Sequence, residues 1–281
     1  MPRAGVFLLT LLAMLAFAAN SVLCRAALKD TAIDAASFTA VRLLAGALAL
    51  WLIVALRNGH AAGEGSWPSA LALFAYAAPF SFAYVSLSAG AGALLLFGAV
   101  QATMILWGWW RGERLNARQL AGLALALGGL AYLMLPGISA PPLGGALLMI
   151  AAGIAWGAYS LRGRGAAKPL AATAGNFLRT VPLGIALAIV AWPWLRFDIA
   201  GIAYAIASGA LASGIGYAIW YAALPGLRAA SAATVQLSVP VIVALGGVLL
   251  LGEPVTLRLA LASVAILGGI ALVIAGRHQS S

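Results

Sequence analysis

Ten apolar runs, each about long enough to cross a bilayer, follow one another with little polar interruption, and they limit what this chain can fold into. They cover roughly residues 4–26, 33–56, 67–88, 91–110, 117–135, 143–161, 172–194, 199–222, 229–251 and 256–276. In hydrocarbon every backbone N–H and C=O must find a partner within the protein, which leaves helices or a closed barrel. Ala and Leu dominate the runs without the two-residue alternation of barrel strands. The expected fold is therefore an all-α integral membrane protein of ten transmembrane helices. The connections are short: Ser88 to Gly92 holds only small residues, and Pro136-Gly137 with Pro141-Pro142 is a cluster of helix breakers. No stretch remains for a soluble domain.

Charge and composition narrow the function classes. Hydrophobic residues make up 64% and charged residues 8%, against about 25% charged in soluble domains. The formal charge of +10 raises nucleic acid as a partner, but the positives stand singly or in small groups between apolar runs. Such scatter fits topology control, with the lipid bilayer as partner and no nucleic acid. On the side of the N-terminus lie Arg3, Arg57, Arg111, Arg114, Arg118, Arg162, Arg164, Lys168, Arg228 and Arg277; the other side has Arg25, Lys29, Arg196 and Arg258. This bias predicts that both termini are cytoplasmic. Arg3, an apolar run and Ala16-Phe17-Ala18 look like a signal peptide, yet the run from Ala4 to about Cys24 is long enough to span, and a matching segment recurs in mid-chain. It is read as a retained first helix. The lone Cys24 excludes an intramolecular disulfide, and His60 and His278 fall in a loop and a tail. No metal and no other cofactor is expected. An intramembrane enzyme would need a nucleophile with a base, a metal set or a carboxylate pair within the spans, and none is visible, so no residue is assigned as catalytic.

One stretch occurs twice. Gly112-Glu113 leads through Arg118 to Gly128-Gly129, and Gly252-Glu253 leads through Arg258 to Gly268-Gly269, with 140 residues between counterparts. The pattern reads as an internal duplication, with one five-helix repeat over 1–138 and a second over 139–281. Five is odd, so the second repeat enters the membrane upside down; inverted repeats are a common build of secondary transporters, with the site near the midplane between the halves. Other counterparts agree. Phe17-Ala18-Ala19-Asn20-Ser21 in helix 1 matches Trp156-Gly157-Ala158-Tyr159-Ser160 in helix 6, and Arg42 matches Arg179. Val100 stands where the second half has Pro240, each thirteen residues before its Glu.

At these residues the chain resembles the drug/metabolite transporter superfamily in its ten-helix EamA-type form, along essentially its whole length. The Gly-Glu loops, Pro240, the Gly-Gly helices and the ends of helices 1 and 6 carry the likeness together. Within the superfamily it is similar to bacterial exporters of amino acids, aromatic ones included. The resemblance implies a bacterial inner-membrane exporter of small metabolites or drugs, whose cavity is lined by helices 1, 3, 4, 6, 8 and 9. Val100 departs from the proline often found there, which weakens the expectation of a broken helix 4.

The candidate residues follow. All six acids, Asp30, Asp34, Glu64, Glu113, Asp198 and Glu253, fall at helix ends or in loops, with Asp34, one turn into helix 2, the nearest to an exception. Without a midplane carboxylate, uniport or exchange is preferred over proton coupling. Arg42 and Arg179 are the charges well inside spans; each either meets a substrate carboxylate or bonds to neighbouring backbone carbonyls, and the structural reading is preferred. Glu113 and Glu253 are expected to be structural, capping the next helix and pairing with Arg114, Arg118 or Arg258, with gating as the alternative. The Gly-Gly pairs let helices 5 and 10 approach a neighbour as scaffold. Trp107, Trp109, Trp110, Trp192 and Trp194 read as an interfacial belt. Deeper aromatics are Tyr76, Phe80 and Tyr84 in one helical stripe, with Phe97, Trp156, Tyr159, Tyr217, Trp220 and Tyr221; they pack helices or wall a cavity. Asn20, Gln101, Gln236 and Ser238 either bond a ligand or bond helix to helix. An aromatic-walled cavity with a few polar groups suits a partly apolar solute such as an aromatic or bulky neutral amino acid. Organic cations stacking on the rings and a non-transporting membrane scaffold are the alternatives. Nothing demands a second subunit, and a monomer is compatible with the sequence.

Overall fold

A computed structural model of the chain describes residues 3–57, 64–112, 114–137, 140–164, 166–227 and 229–277. Seven unbroken helices come first: α1 (Arg3–Asp30), α2 (Ala35–Leu56), α3 (Trp67–Tyr84), α4 (Ala89–Trp110), α5 (Ala117–Met134), α6 (Leu143–Gly163) and α7 (Pro169–Val190). α8 is one rod made of Ile199–Ile206, a π-helical segment Ala207–Ile215, and Gly216–Ala223. α9 has two pieces, Ala229–Gln236 and Ser238–Leu251, and α10 covers Leu257–Arg277. Among the described residues nine helices have the length and hydropathy of spans; α3 makes the tenth, its hydropathy lowered by Trp67, Pro68, Tyr76, Pro79 and Tyr84. The protein is an all-α, multi-pass integral membrane protein. Leu48, Ile189, Leu249 and Val264 point outward, an apolar surface suited to lipid. Trp109, Trp110, Trp192 and Trp194 are exposed at helix ends, as a belt at the membrane surface requires.

Local chemistry sets the helix ends. Side chains of Asp34, Ser66, Ser88, Asn116 and Asp198 cap α2, α3, α4, α5 and α8, each accepting from a backbone N–H of the first turn. Asp34 is thus a cap outside α2 rather than a carboxylate within it. α1 runs past its expected end to Asp30, because Arg25 and Lys29 bond to the protein: Arg25 to Glu253 and to the Tyr84 and Val85 carbonyls, Lys29 to the Leu251 carbonyl. α9 breaks at Leu237 for a covalent reason. Pro240 has no N–H for the Gln236 carbonyl four residues back, and its ring crowds that carbonyl. The chain tightens instead, with the Leu237 N–H donating to the Thr234 carbonyl. α4, with Val100 at the matching place, stays continuous.

The packing pairs repeat. α5 packs along α10 and α2 along α7; α3 meets α6 as α1 meets α8, and α4 meets α6 as α1 meets α9. α3 likewise meets α7 as α2 meets α8. Adding five to each helix number, counted cyclically through ten, carries one pair into the other. At α5 and α10 the close approach is made by Gly122 and Gly269, each with the other's carbonyl where a Cβ would sit. Gly129 also packs tightly, on Ala265 and Ile266. Gly128 and Gly268 meet nothing, so the Gly-Gly pairs contribute one residue each, and Gly122 carries the rest.

Candidate functional site

A cavity lies at mid-depth where α1, α3, α4, α6, α8 and α9 converge. It is lined by Phe17, Asn20 and Ser21 of α1, Tyr76 and Phe80 of α3, Leu96, Phe97 and Val100 of α4, Trp156 of α6, Ala212, Ser213 and Tyr217 of α8, and Gln236 of α9. It offers about 60 Å3 to the centres of water molecules, several times the roughly 10–15 Å3 that one water needs.

Trp156 is the hub of its wall. Its ring centroid lies 4.8 Å from Tyr76, 5.3 Å from Tyr159 and 5.9 Å from Tyr217. Phe17 packs on Tyr217 at 5.6 Å and Phe80 on Tyr76 at 5.2 Å. Four helices, α1, α3, α6 and α8, therefore bring rings to one space. The four-residue spacing of Tyr76 and Phe80 puts both on one face of α3.

Polar groups enter through one buried chain. Asn20 Nδ2 donates to the Tyr76 hydroxyl at 3.2 Å, and the Ser208 hydroxyl donates to Asn20 Oδ1 at 2.6 Å. The Ser213 hydroxyl returns to the Ser208 carbonyl at 3.0 Å. These bonds span α1, α3 and the π-helical turn of α8. That turn rests on α2, where a Cβ on Gly209 would collide with the Arg42 carbonyl. Its wider turn carries Ala212 and Ser213 into the cavity wall, a common use of π segments at functional sites. Gln236 lines the cavity at the last residue before the α9 break.

Seven expected residues, Asn20, Tyr76, Phe80, Phe97, Trp156, Tyr217 and Gln236, meet at the cavity, and six do not line it. Tyr84 continues the α3 stripe but is fully buried, packing edge-on to Phe80 at 4.9 Å and donating to the Ala89 carbonyl in the turn to α4. The Tyr159 hydroxyl accepts from Asn176, and the Tyr221 hydroxyl pairs with Thr173, so both anchor α7 behind the wall. Trp220 packs on Phe17 at 6.1 Å in a second apolar cluster. Ser238 donates to the Val235 carbonyl and closes the kink of α9. Gln101 is half-buried one residue past Val100 and outside the lining. Phe17, Ser21, Leu96, Val100, Ala212 and Ser213 line the cavity without having been singled out as contacts. Phe17 and Ser21 flank Asn20 in the matched segment of helix 1, the one available signal; the small residues of α8 carried none.

The two intramembrane arginines part ways. Arg179 donates to the Glu64 and Gly175 carbonyls at 2.6 and 2.9 Å, the structural role preferred from sequence. Arg42 is 4% exposed, with its guanidinium carbon 4.8 Å from the Phe80 ring centre and 5.7 Å from that of Tyr76. Glu253 departs from expectation. It pairs with Arg25 at 2.9 Å, and its other oxygen accepts from the Ala89 N–H at the start of α4 at 2.7 Å. It therefore caps α4 rather than α10, while Arg258 donates to the Leu135 carbonyl. Glu113 lies outside the described residues.

Two segments of the chain, residues 4–135 and 143–275, match the model of the EamA-like transporter family. The chain belongs to that family. It is a family of membrane transporters and not of enzymes, so the protein is a membrane transporter with a small-molecule substrate. The uncharacterized protein PA1977 of Pseudomonas aeruginosa is 62% identical over 278 residues, covering 99% of this chain and 97% of that protein. A protein of known crystal structure shares the fold at 21% identity, with a TM-score of 0.68 over 95% of this chain and 96% of its own.

Proposed function

We propose that this transporter exports amino acids with aromatic or bulky neutral side chains, or closely related metabolites, across a bacterial inner membrane by alternating access of two inverted repeats, 1–138 and 139–281. The observation that carries the reading is the cavity itself. Rings of Phe17, Tyr76, Phe80, Phe97, Trp156 and Tyr217 suit a flat apolar body, while Asn20, Ser213 and Gln236 offer donors and acceptors to a polar head. Its walls come from both repeats, so rocking one against the other would open it to either side. Uniport is supported by the acids: Asp34 and Asp198 cap helices, Glu64 lies in a loop, and Glu253 is paired with Arg25. The excess of Lys and Arg on the side of the termini supports cytoplasmic N- and C-termini. A monomeric transporter is part of this reading.

Liposomes carrying the purified protein and loaded in parallel with labelled phenylalanine, tryptophan, threonine and methyl viologen test the reading. Saturable flux of the aromatic amino acids, unaffected by proton ionophores, is expected. Flux of methyl viologen alone would replace this substrate class with organic cations. Ionophore-sensitive concentrative flux would overturn uniport, and no saturable flux of any solute would overturn transport of these classes.

A further inference from the structure

The cavity carries a charge that its own lining does not show. Arg42 sits in α2, immediately behind the wall: Tyr76 and Phe80 line the cavity, and the guanidinium covers both rings. It also lies beside the Tyr76 hydroxyl and the Cys24 thiol. Arg42 Nη1 is buried with no hydrogen-bond acceptor, and neither described ion pair involves this residue. Its counterpart Arg179 spends its donors on backbone carbonyls. A guanidinium is not deprotonated in proteins, so the charge persists, and among the described residues no acid lies within the middle of a span to offset it. A buried charge without an ionic partner is costly; ring faces recover part of that cost, and an anion in the cavity would recover more.

Resting on the transporter reading above, we propose that the cavity selects solutes bearing a carboxylate, and that Arg42 sets this selectivity through Tyr76. The Tyr76 hydroxyl accepts from Asn20 Nδ2, which leaves its own proton free to donate. Placed beside a cation, that hydroxyl is a stronger donor toward an anion. A solute carboxylate bonded there would sit one ring layer from the guanidinium, in surroundings where a unit charge is weakly screened. An ammonium at the same place would be repelled. The rings of Trp156 and Tyr217 would hold the apolar body, so the class is a carboxylate with a flat or bulky apolar part. Arg42 is a positioning residue here, since it touches the cavity wall rather than the solute.

Three ring-matched probes, phenylacetate, phenylacetamide and phenethylamine, differ chiefly in charge, and their binding to the purified protein is read by tryptophan fluorescence. Phenylacetate is expected to bind about tenfold more tightly than the amide, with the amine weakest. Arg42→Gln should remove the advantage of the anion and Arg42→Lys should keep it. Equal binding of the three probes to the native protein, or an anion advantage that survives in Arg42→Gln, overturns the proposal. If Arg42→Gln does not fold, the native series together with Arg42→Lys decides, because loss of the preference in the lysine variant also overturns it. Charge-blind binding with amino-acid flux intact would sink this inference alone. Absent flux of every solute would sink the transported class whatever the probes do.

Discussion

Arg25 Nε lies 2.9 Å from Glu253 Oε1 although 228 residues separate them. The pair joins three helix junctions at one end of the bundle, because Arg25 also donates to the Tyr84 and Val85 carbonyls and Glu253 accepts from the Ala89 N–H. The end of α1, the turn from α3 to α4 and the turn from α9 to α10 are held by one part-buried ion pair.

Glu253→Ala should therefore lower stability by about 1–3 kcal/mol, since it leaves the N–H at the start of α4 without its acceptor and removes the partner of a part-buried guanidinium. Thermal unfolding in detergent measures the loss. Cys24, fully buried next to Arg25, gives a second readout: its maleimide labelling, slow in the native protein, should speed up in the variant. Native-like melting and labelling would mean that the pair holds nothing together.

Trp156→Ala and Tyr217→Ala should each reduce initial flux in liposomes about tenfold or more while the protein still folds, because both rings wall the cavity and neither is tied to the backbone of another helix. Trp156→Phe, which keeps a ring against Tyr76, should lose less. Native flux in both alanine variants would return these residues to packing.

Asn20 and Ser208 should be energetically coupled. Their 2.6 Å bond joins α1 to the π-helical turn of α8, and a double-mutant cycle of Asn20→Ala with Ser208→Ala should give about 0.6–1.7 kcal/mol, the range of such bonds between membrane helices. Additive losses would count against the link.

Glycine substitutions should separate two positions that look alike in sequence. Gly122→Ala forces a Cβ onto the Gly269 carbonyl and should destabilise the α5–α10 contact, whereas Gly128→Ala meets nothing and should be neutral or stabilising by up to about 1 kcal/mol. Melting temperatures in one detergent compare them. Equal effects would contradict the close α5–α10 packing.

Asp34 sets an acid limit. Partial burial raises the pKa of its carboxyl, but bonds from the N–H groups of Arg196, Ser37 and Ala36 outweigh that and hold it below the ordinary 3.8. A lowered folded-state pKa means that the stabilisation is present above 3.8 and is lost as pH falls through the folded value. The tie between the loop before α2 and the loop before α8 should thus be indifferent to pH near neutrality and weaken below about pH 4. Asp34→Asn, which keeps the cap, should flatten the acid limb of a melting-temperature profile; an unchanged limb would assign it to another group.

Much of the fold was legible because its signals are local. Runs of about twenty apolar residues bounded by charges mark spans wherever they occur, and the observed helices fall within a few residues of those runs. The kink of α9 was legible in Pro240 and its absence from α4 in Val100, because a missing N–H acts on the carbonyl four residues back. The aromatic and amide candidates split in two because the same chemistry serves cavities and helix contacts. Tyr76 and Tyr84 share one stripe, yet Tyr84 turns into the α3–α4 junction. The small residues Ala212 and Ser213 gave no signal, since only the wider turn of α8 brings them to the wall.

A membrane solvent, the order of the spans and a pattern that occurs twice are readable from the residues alone. Those properties follow from hydropathy, proline chemistry and spacing, none of which needs a partner distant in the chain. Tertiary structure alone decided that Glu253 meets Arg25 instead of Arg258, that Gly122 and Gly269 share one contact, and that matched arginines differ, Arg179 bonded to carbonyls and Arg42 left with an open donor behind two cavity rings. Partners separated by up to 228 residues are chosen by how helices pack, and packing depends on the shapes of every side chain between them.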